Sequence, residues 1–290
     1  MLLHFADASK DPSSKFIIFG VPFDGTSSFR HGSKFAPDEI RKASYNLESY
    51  VMEHKVDLST VPIYDMGNIG TLDEFGNVDD VIDAVYSTMN DILPDKFPIM
   101  MGGEHSITIG AAKALKKINN VGIIFIDAHA DFRQQYLGNK FSHACTARRA
   151  YEILNGKVIS IGVRSASKEE IEDANTLNYR WIDAYEFYKI GWKKAIEKAL
   201  KILNVKKIYL SIDIDGIDPA YAPGTGTPEF FGLSPLDVKN IINFIGEKLI
   251  GADITEVSPP YDNGNTSVLA ARFIQEIIAI KWKTMEDKFK

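Results

Sequence analysis

Short runs of apolar, β-branched residues alternate along the chain with longer stretches whose apolar positions recur at helical spacing. The short runs predict strands at Phe16–Gly20, Pro62–Asp65, Phe97–Met101, Val121–Asp127, Lys157–Val163, Tyr179–Ile182, Lys207–Asp213 and Ala252–Val257. VGIIFID and KKIYLSID are almost continuously apolar, the pattern of strands covered on both faces in a parallel sheet. The intervening stretches predict helices at Pro37–Glu48, Asp79–Leu93, Ile107–Lys117, Ala144–Leu154, Lys168–Asn175, Trp192–Leu203, Pro235–Lys248 and Thr266–Lys281. Pro37 suits a first helical position, where its missing N–H costs nothing. Ser234 before Pro235, with Asp237 three residues on, reads as a capping arrangement.

Strands alternating with helices imply βαβ units with right-handed crossovers. Alternation alone leaves two architectures open, a doubly wound open sheet and a closed (β/α)₈ barrel. Either one presents ligands at the carboxyl ends of its strands. No Pro- or Ser-rich linker, internal repeat or shift in composition divides residues 1–290, so one domain is expected.

Composition narrows the function. With 33 Lys+Arg against 39 Asp+Glu, the mild acidic excess gives no footprint for nucleic acid or an anionic membrane. A single Cys excludes a disulfide framework and a thiolate metal cluster. The segment MLLHFADASKDPSSKF lacks the basic and apolar regions of a signal peptide. No apolar run approaches the roughly 18 residues of a membrane span. A cytoplasmic enzyme is the expectation.

The chemistry lies just after three of the predicted strands. FPIMM leads into GGEHS, with His105; VGIIFI leads into DAHAD, with Asp127, His129 and Asp131; KKIYLSI leads into DIDGIDP, with Asp213 and Asp215. Residues two apart in extended chain point the same way, which predicts a three-ligand row and a two-carboxylate pincer on one rim. Each piece alone has a plainer explanation, since Asp commonly forms turns and caps; Asp218, before Pro219, is such a turn residue. Three ionisable groups ending an apolar strand, however, would be repelled and desolvated without a cation. Oxygen-rich donors with some imidazole and no thiolate favour Mn²⁺ over zinc. Four aspartates balance two dications, and ions roughly 3.5–4 Å apart can share and acidify a water. The expectation is two Mn²⁺ per chain serving hydrolysis.

GGEHS, DAHAD and SIDIDGIDP, in this order and spacing, resemble the signature segments of the ureohydrolases, the arginase and agmatinase family. The resemblance runs from GVPFDGTSSFRHGSKFAPDEIRKAS to EVSPPYD, and KFSHACTARR and DPAYAPGTGTPEFFGLS are closer to prokaryotic agmatinases than to arginases. It implies a three-layer α/β/α fold with an eight-stranded, mostly parallel sheet. It also implies a binuclear manganese site, one ion taking His105, Asp127, Asp131 and Asp213 and the other Asp127, His129, Asp213 and Asp215. His143 matches a histidine that shuttles protons, and Glu256 a glutamate that grips the substrate guanidinium; Asp131 would carry a proton to the departing amine. Their plainer readings are a loop histidine and a strand-end glutamate paired with a surface lysine. His4, His31 and His54 are taken as solvated or structural, and Cys145 as packing at a helix start. The resemblance further implies trimers or hexamers.

Ser165, Ala166 and Ser167 stand where arginases carry acidic residues, and FRQQYLGNK departs from the polar arginase loop. Both departures favour a small cationic guanidino substrate without the amino-acid head, namely agmatine, cleaved to putrescine and urea. Arg133, if turned into the site, would favour 4-guanidinobutyrate. N-aminopropylagmatine and arginine remain as alternatives, and a single-zinc, deacetylase-like amide hydrolase is the rival from another class.

Overall fold

A computed structural model describes residues 3–70 and 76–287. The sheet is built from β1 (Phe16–Val21), β4 (Ile63–Asn68), β5 (Phe97–Gly102), β6 (Val121–Ile126), β7 (Val158–Val163), β8 (Trp181–Asp183), β9 (Lys207–Asp213) and β10 (Leu249–Thr255). Their order is β4-β1-β5-β10-β9-β6-β7-β8, and every pairing is parallel. The sheet is open, with β4 and β8 at its edges, so the barrel alternative falls. A two-stranded ribbon, β2 (Tyr50–Val51) with β3 (Val56–Asp57), lies outside it.

Helices α1 (Ala36–Ser44), α2 (Val78–Ile92), α3 (Thr108–Leu115), α4 (Thr146–Ile153), α5 (Lys168–Leu177), α6 (Ala184–Ile190), α7 (Trp192–Leu203), α8 (Pro235–Ile245) and α9 (Asn265–Glu286) connect and cover the strands. Side chains alternate across a strand, so each central strand feeds two cores. In β6, Ile124 and Ile126 pack in the core with α1, α7, α8 and α9, whereas Ile123 and Phe125 pack in the core with α2, α3 and α4. The result is the expected three-layer α/β/α arrangement.

Local signals acted as their chemistry dictates, with two departures. Ser234 and Asp237 form a reciprocal capping box at α8. Pro37, by contrast, is the second residue of α1 rather than the first; the missing N–H is equally harmless there, because the first four N–H groups of a helix have no intrahelical partner. Helix α6 and the β2–β3 ribbon escaped the pattern. AYEFYKI is short and aromatic-rich, and Asp183 starts it by accepting from the Glu186 amide.

The edge strand β4 is tied to α1 by a buried ion pair. Arg41 Nε and Nη2 each donate to one oxygen of Asp65 at 2.8 Å, and both side chains are sealed from solvent. The same carboxylate accepts from the amides of Phe5 and Gly67, so one side chain also docks the N-terminal segment. Asp65→Asn should therefore cost about 3–5 kcal/mol, because it removes the buried counterion of Arg41 and leaves only the exposed carboxylate of Asp38, 3.3 Å from Nη1. The exposed Lys42–Glu39 pair on the same helix should be worth under about 1 kcal/mol. Thermal unfolding of Asp65→Asn beside Glu39→Gln checks this; similar small losses in both would show that the buried pair is not an anchor.

Candidate active site

The loops that follow β1 and β5 meet backbone to backbone. A Cβ on Gly103 would lie 1.8 Å from the Phe23 carbonyl oxygen, so only glycine permits the approach. The contact is sealed by Gly103 N–H donating to Val21 and Glu104 N–H to Phe23. His105 follows, opening a single 3₁₀ turn. Its Nδ1 lies 3.1 Å from Asp131 Oδ2, 3.1 Å from Asp213 Oδ2 and 3.4 Å from Asp127 Oδ2. Its Nε2 lies 3.0 Å from Ser211 Oγ, which donates to the buried Asp253. With the Ser211 proton given to Asp253, the serine accepts from Nε2–H, and Nδ1 is left for a ligand. Ser211 and Asp253 face each other across β9 and β10.

All six predicted ligands converge, but not as a row and a pincer. β6 ends at Ile126, and Asp131 has a left-handed backbone (φ 45°), so the extended alternation does not run through DAHAD. Likewise Asp213 ends β9 while Asp215 sits in the next 3₁₀ turn, its N–H donating to Asp213 Oδ1. The consequence is a division of labour. His105, Asp127 and Asp131 form one cluster and Asp127, His129 and Asp215 a second, donor atoms in each lying within 4.8 Å of one another. Asp127 belongs to both. His129 Nδ1 is 2.9 Å from Asp215 Oδ2, while Asp213 turns toward His105.

The electrostatics call for cations. Burial pushes the carboxyls of Asp127, Asp131 and Asp213 upward, Asp131 to about 7, and repulsion among the aspartates adds to it. Burial opposes charge on His105 and His129 as well, yet the surrounding carboxylates outweigh it and hold both well above the usual imidazole range. Burial also works against the Asp215 charge, but His129 holds that carboxyl below the usual range. These opposed shifts are what a cluster of buried carboxylates shows where positive charge is needed among them. Asp127 Oδ2 is buried without a hydrogen-bond donor, and the donor set is oxygen and imidazole; both fit divalent ions.

A cavity of about 350 Å³ opens over these groups, lined also by Glu256, His143, Arg133 and Tyr136. Glu256 is buried just beyond β10 with φ 61°, and Oε1 accepts from the His105 amide at 2.7 Å. Burial, then repulsion from Glu104, raises its carboxyl well above the usual range. It faces the cavity rather than a surface lysine. Burial, helped by His129, lowers His143 to about 4, so its ring is neutral near pH 7. Cys145 is buried, and burial first of all pushes its thiol to about 12, which removes any Cys/His nucleophile. Asp218 is a turn residue, accepting from the amides of Ala220 and Gly232. His54 is structural, buried 3.1 Å from Glu276.

Sequence reasoning missed the support beneath the ligands. Asp253 could have been found as a lone carboxylate inside the apolar run ADITEV; burial raises it to about 6. Glu170 lines the cavity wall, legible in the sequence only as the acidic end of the Ser167–Glu170 capping box, and Glu229 comes within 3.8 Å of His129 Nε2 with no local signal.

Known proteins resemble this one in fold and sequence. The agmatine ureohydrolase of Thermoplasma volcanium superposes with a TM-score of 0.93 at 46% identity, covering 99% of this chain and 97% of that one. An N(1)-aminopropylagmatine ureohydrolase of Thermococcus kodakarensis is 38% identical over 90% of this chain and 88% of its own length. An agmatinase of Bacillus cereus is 36% identical over 91% of each. The arginase family model matches residues 14–279, and the chain belongs to the arginase family of ureohydrolases.

Proposed function

We propose that this chain is a manganese-dependent agmatine ureohydrolase, converting agmatine and water into putrescine and urea. The observation that carries the reading is Glu256. A buried carboxylate on a left-handed backbone, one oxygen held by the His105 amide, lines the same cavity as both ligand clusters. Its other oxygen is left to accept from a planar cation, as guanidinium recognition requires.

His105, Asp127, Asp131 and Asp213 would hold one ion and Asp127, His129, Asp213 and Asp215 the other. Bound there, two divalent ions supply a water that is acidic enough to attack near neutral pH. The chain's own groups do the rest. Glu256 turns the guanidinium carbon toward the two clusters and opposes its charge. Asp131, at the cavity floor, carries a proton to the departing amine. His143, neutral on the cavity wall, exchanges protons with solvent.

The walls favour a cationic tail. Agmatine keeps an ammonium but lacks the α-carboxylate of arginine. Ser167, a cavity-lining hydroxyl on the α5 side, is committed to capping α5 and donates to Glu170. Arg133 does line the cavity, the observation that favours 4-guanidinobutyrate as a second reading. Its Nη2, however, already lies 3.5 Å from Glu170, and its guanidinium stacks over Tyr136. Glu229, 3.8 Å from His129 Nε2, adds a carboxylate beside the second cluster. An incoming carboxylate would shed water for a partner that is already taken.

Metal analysis tests the site. Asp127→Asn, at the residue shared by both clusters, should lower the content of both ions and abolish turnover, whereas His129→Asn should weaken one ion and be partly rescued by added Mn²⁺. Full metal content in Asp127→Asn would overturn the shared assignment. Glu256→Gln should keep both ions yet lose on the order of 2–4 kcal/mol of transition-state stabilisation, read as kcat/KM. Unchanged rates would return Glu256 to a structural role. In a urea-release panel, agmatine should exceed arginine by at least about a hundredfold in kcat/KM, roughly 2.7 kcal/mol. Preference for 4-guanidinobutyrate, lost in Arg133→Ala, would establish the second reading; preference for N-aminopropylagmatine would move the substrate to a longer polyamine.

A further inference from the structure

Glu104, the acidic residue of GGEHS, is completely buried, yet it belongs to neither ligand cluster. Its oxygens are occupied from the loop after β1 and from its own turn. Oε2 accepts from the Thr26 amide at 2.6 Å and from Ser27 Oγ at 3.3 Å; Oε1 accepts from Thr26 Oγ1 and from Ser106 Oγ at 2.6 Å. A buried carboxylate committed this fully to one short loop is holding something in place. What it holds is the Thr26 hydroxyl.

Thr26 Oγ1 in turn meets His143. The His143 backbone N–H donates to it at 2.9 Å, and His143 Nδ1 lies 3.3 Å away. A hydroxyl has one proton, and here Glu104 takes it. Toward His143, then, Thr26 Oγ1 presents lone pairs only, and a bare Nδ1 would face them with a lone pair of its own. Ser142 Oγ, 3.3 Å from Nδ1, can turn either way and does not contest this choice. On the opposite side of the ring, Ser28 Oγ lies 3.4 Å from Nε2 and can donate to it. Both His143 and Ser28 line the cavity.

We propose that Glu104 and Thr26 are positioning residues that fix His143 as the Nδ1–H tautomer, making Nε2 the nitrogen that takes up and returns protons in the cavity. The inference rests on the proton-exchange role given to His143 above. It also explains a feature of the backbone: the Gly103–Phe23 approach is what brings Thr26 within reach of Glu104.

The test reads the tautomer directly. Long-range ¹H–¹⁵N spectra of the full chain, ¹⁵N-labelled at histidine and loaded with diamagnetic Zn²⁺, report which ring nitrogen carries hydrogen, with His143→Asn assigning the signal. The wild-type ring should be protonated at Nδ1. Thr26→Val should shift it toward Nε2–H, and Thr26→Ser, which restores the hydroxyl, should return it. In the manganese enzyme, Thr26→Val should lose roughly tenfold or more in kcat with KM and metal content unchanged, and Thr26→Ser should recover most of it. A wild-type ring protonated at Nε2, or a tautomer indifferent to Thr26→Val, would overturn the relay. Full activity in His143→Asn would instead remove the proton-exchange role, whatever the tautomer.

Discussion

Four aspartates buried against one another are the constraint around which this molecule is arranged. Repulsion and desolvation raise the carboxyls of Asp127, Asp131 and Asp213, while His129 holds Asp215 low and the carboxylates raise both imidazoles. A cluster like this is costly to assemble, so the surrounding structure must over-determine it. Two of the site residues, Asp131 and Glu256, have left-handed backbones that non-glycine residues seldom adopt. Their neighbours hold them there. The Asp131 carbonyl accepts from Arg148 at the start of α4, and Glu256 is pinned through both its amide and its carboxylate to the GGEHS turn.

Sheet order supplies the means. β5, β10, β9 and β6 are consecutive neighbours, and each delivers functional groups from its carboxyl end: Glu104 and His105, Glu256, Asp213 and Asp215, and the Asp127–Asp131 segment. These strands are far apart in sequence but about 5 Å apart in the sheet, so short loops suffice to close the site. Beneath the rim, Ser211 and Asp253 use the pairing of β9 with β10 to fix the ring of His105. Strand register thus becomes ligand orientation. A slip of one residue would turn Asp253 away from Ser211 and free the imidazole.

What the sequence disclosed follows from how local each cause is. Apolar runs marked the strands: the six inner ones are buried almost throughout and need little context to be seen, while the edge strands β4 and β8 are partly exposed. The ligands were legible because their clustering after apolar strands has no plain explanation without a cation. The shape of the cluster was not legible. Period-two alternation predicted one row and one pincer, whereas Asp131 and Asp215 lie outside the strands and turn to different partners. The open sheet could not be told from a barrel, since closure depends on edge pairing between distant strands. Glu104 and Asp253 stayed hidden for a similar reason. Each acts through a hydroxyl from another part of the chain, Thr26 in one case and Ser211 in the other.

The same separation of causes bears on selectivity. Groups that would face the guanidinium in the proposed reaction are set by central strands, and their chemistry would leave little room for variation: donors for cations below, a carboxylate for the planar cation beside them. In the proposed reading the tail of the substrate would meet the segments after β6 and β7, where Arg133, Tyr136, Ser165, Ser167 and Glu170 line the cavity. There the charges are already balanced against each other. Glu170 receives the Phe132 amide, both donors of Ser167 and the edge of Arg133, so one buried carboxylate ties the β6 loop to the start of α5. A substrate carboxylate would have to compete with Glu170 for Arg133, while an ammonium makes no such demand. Selectivity in this cavity therefore depends less on which charged residues line it than on which of them are already paired.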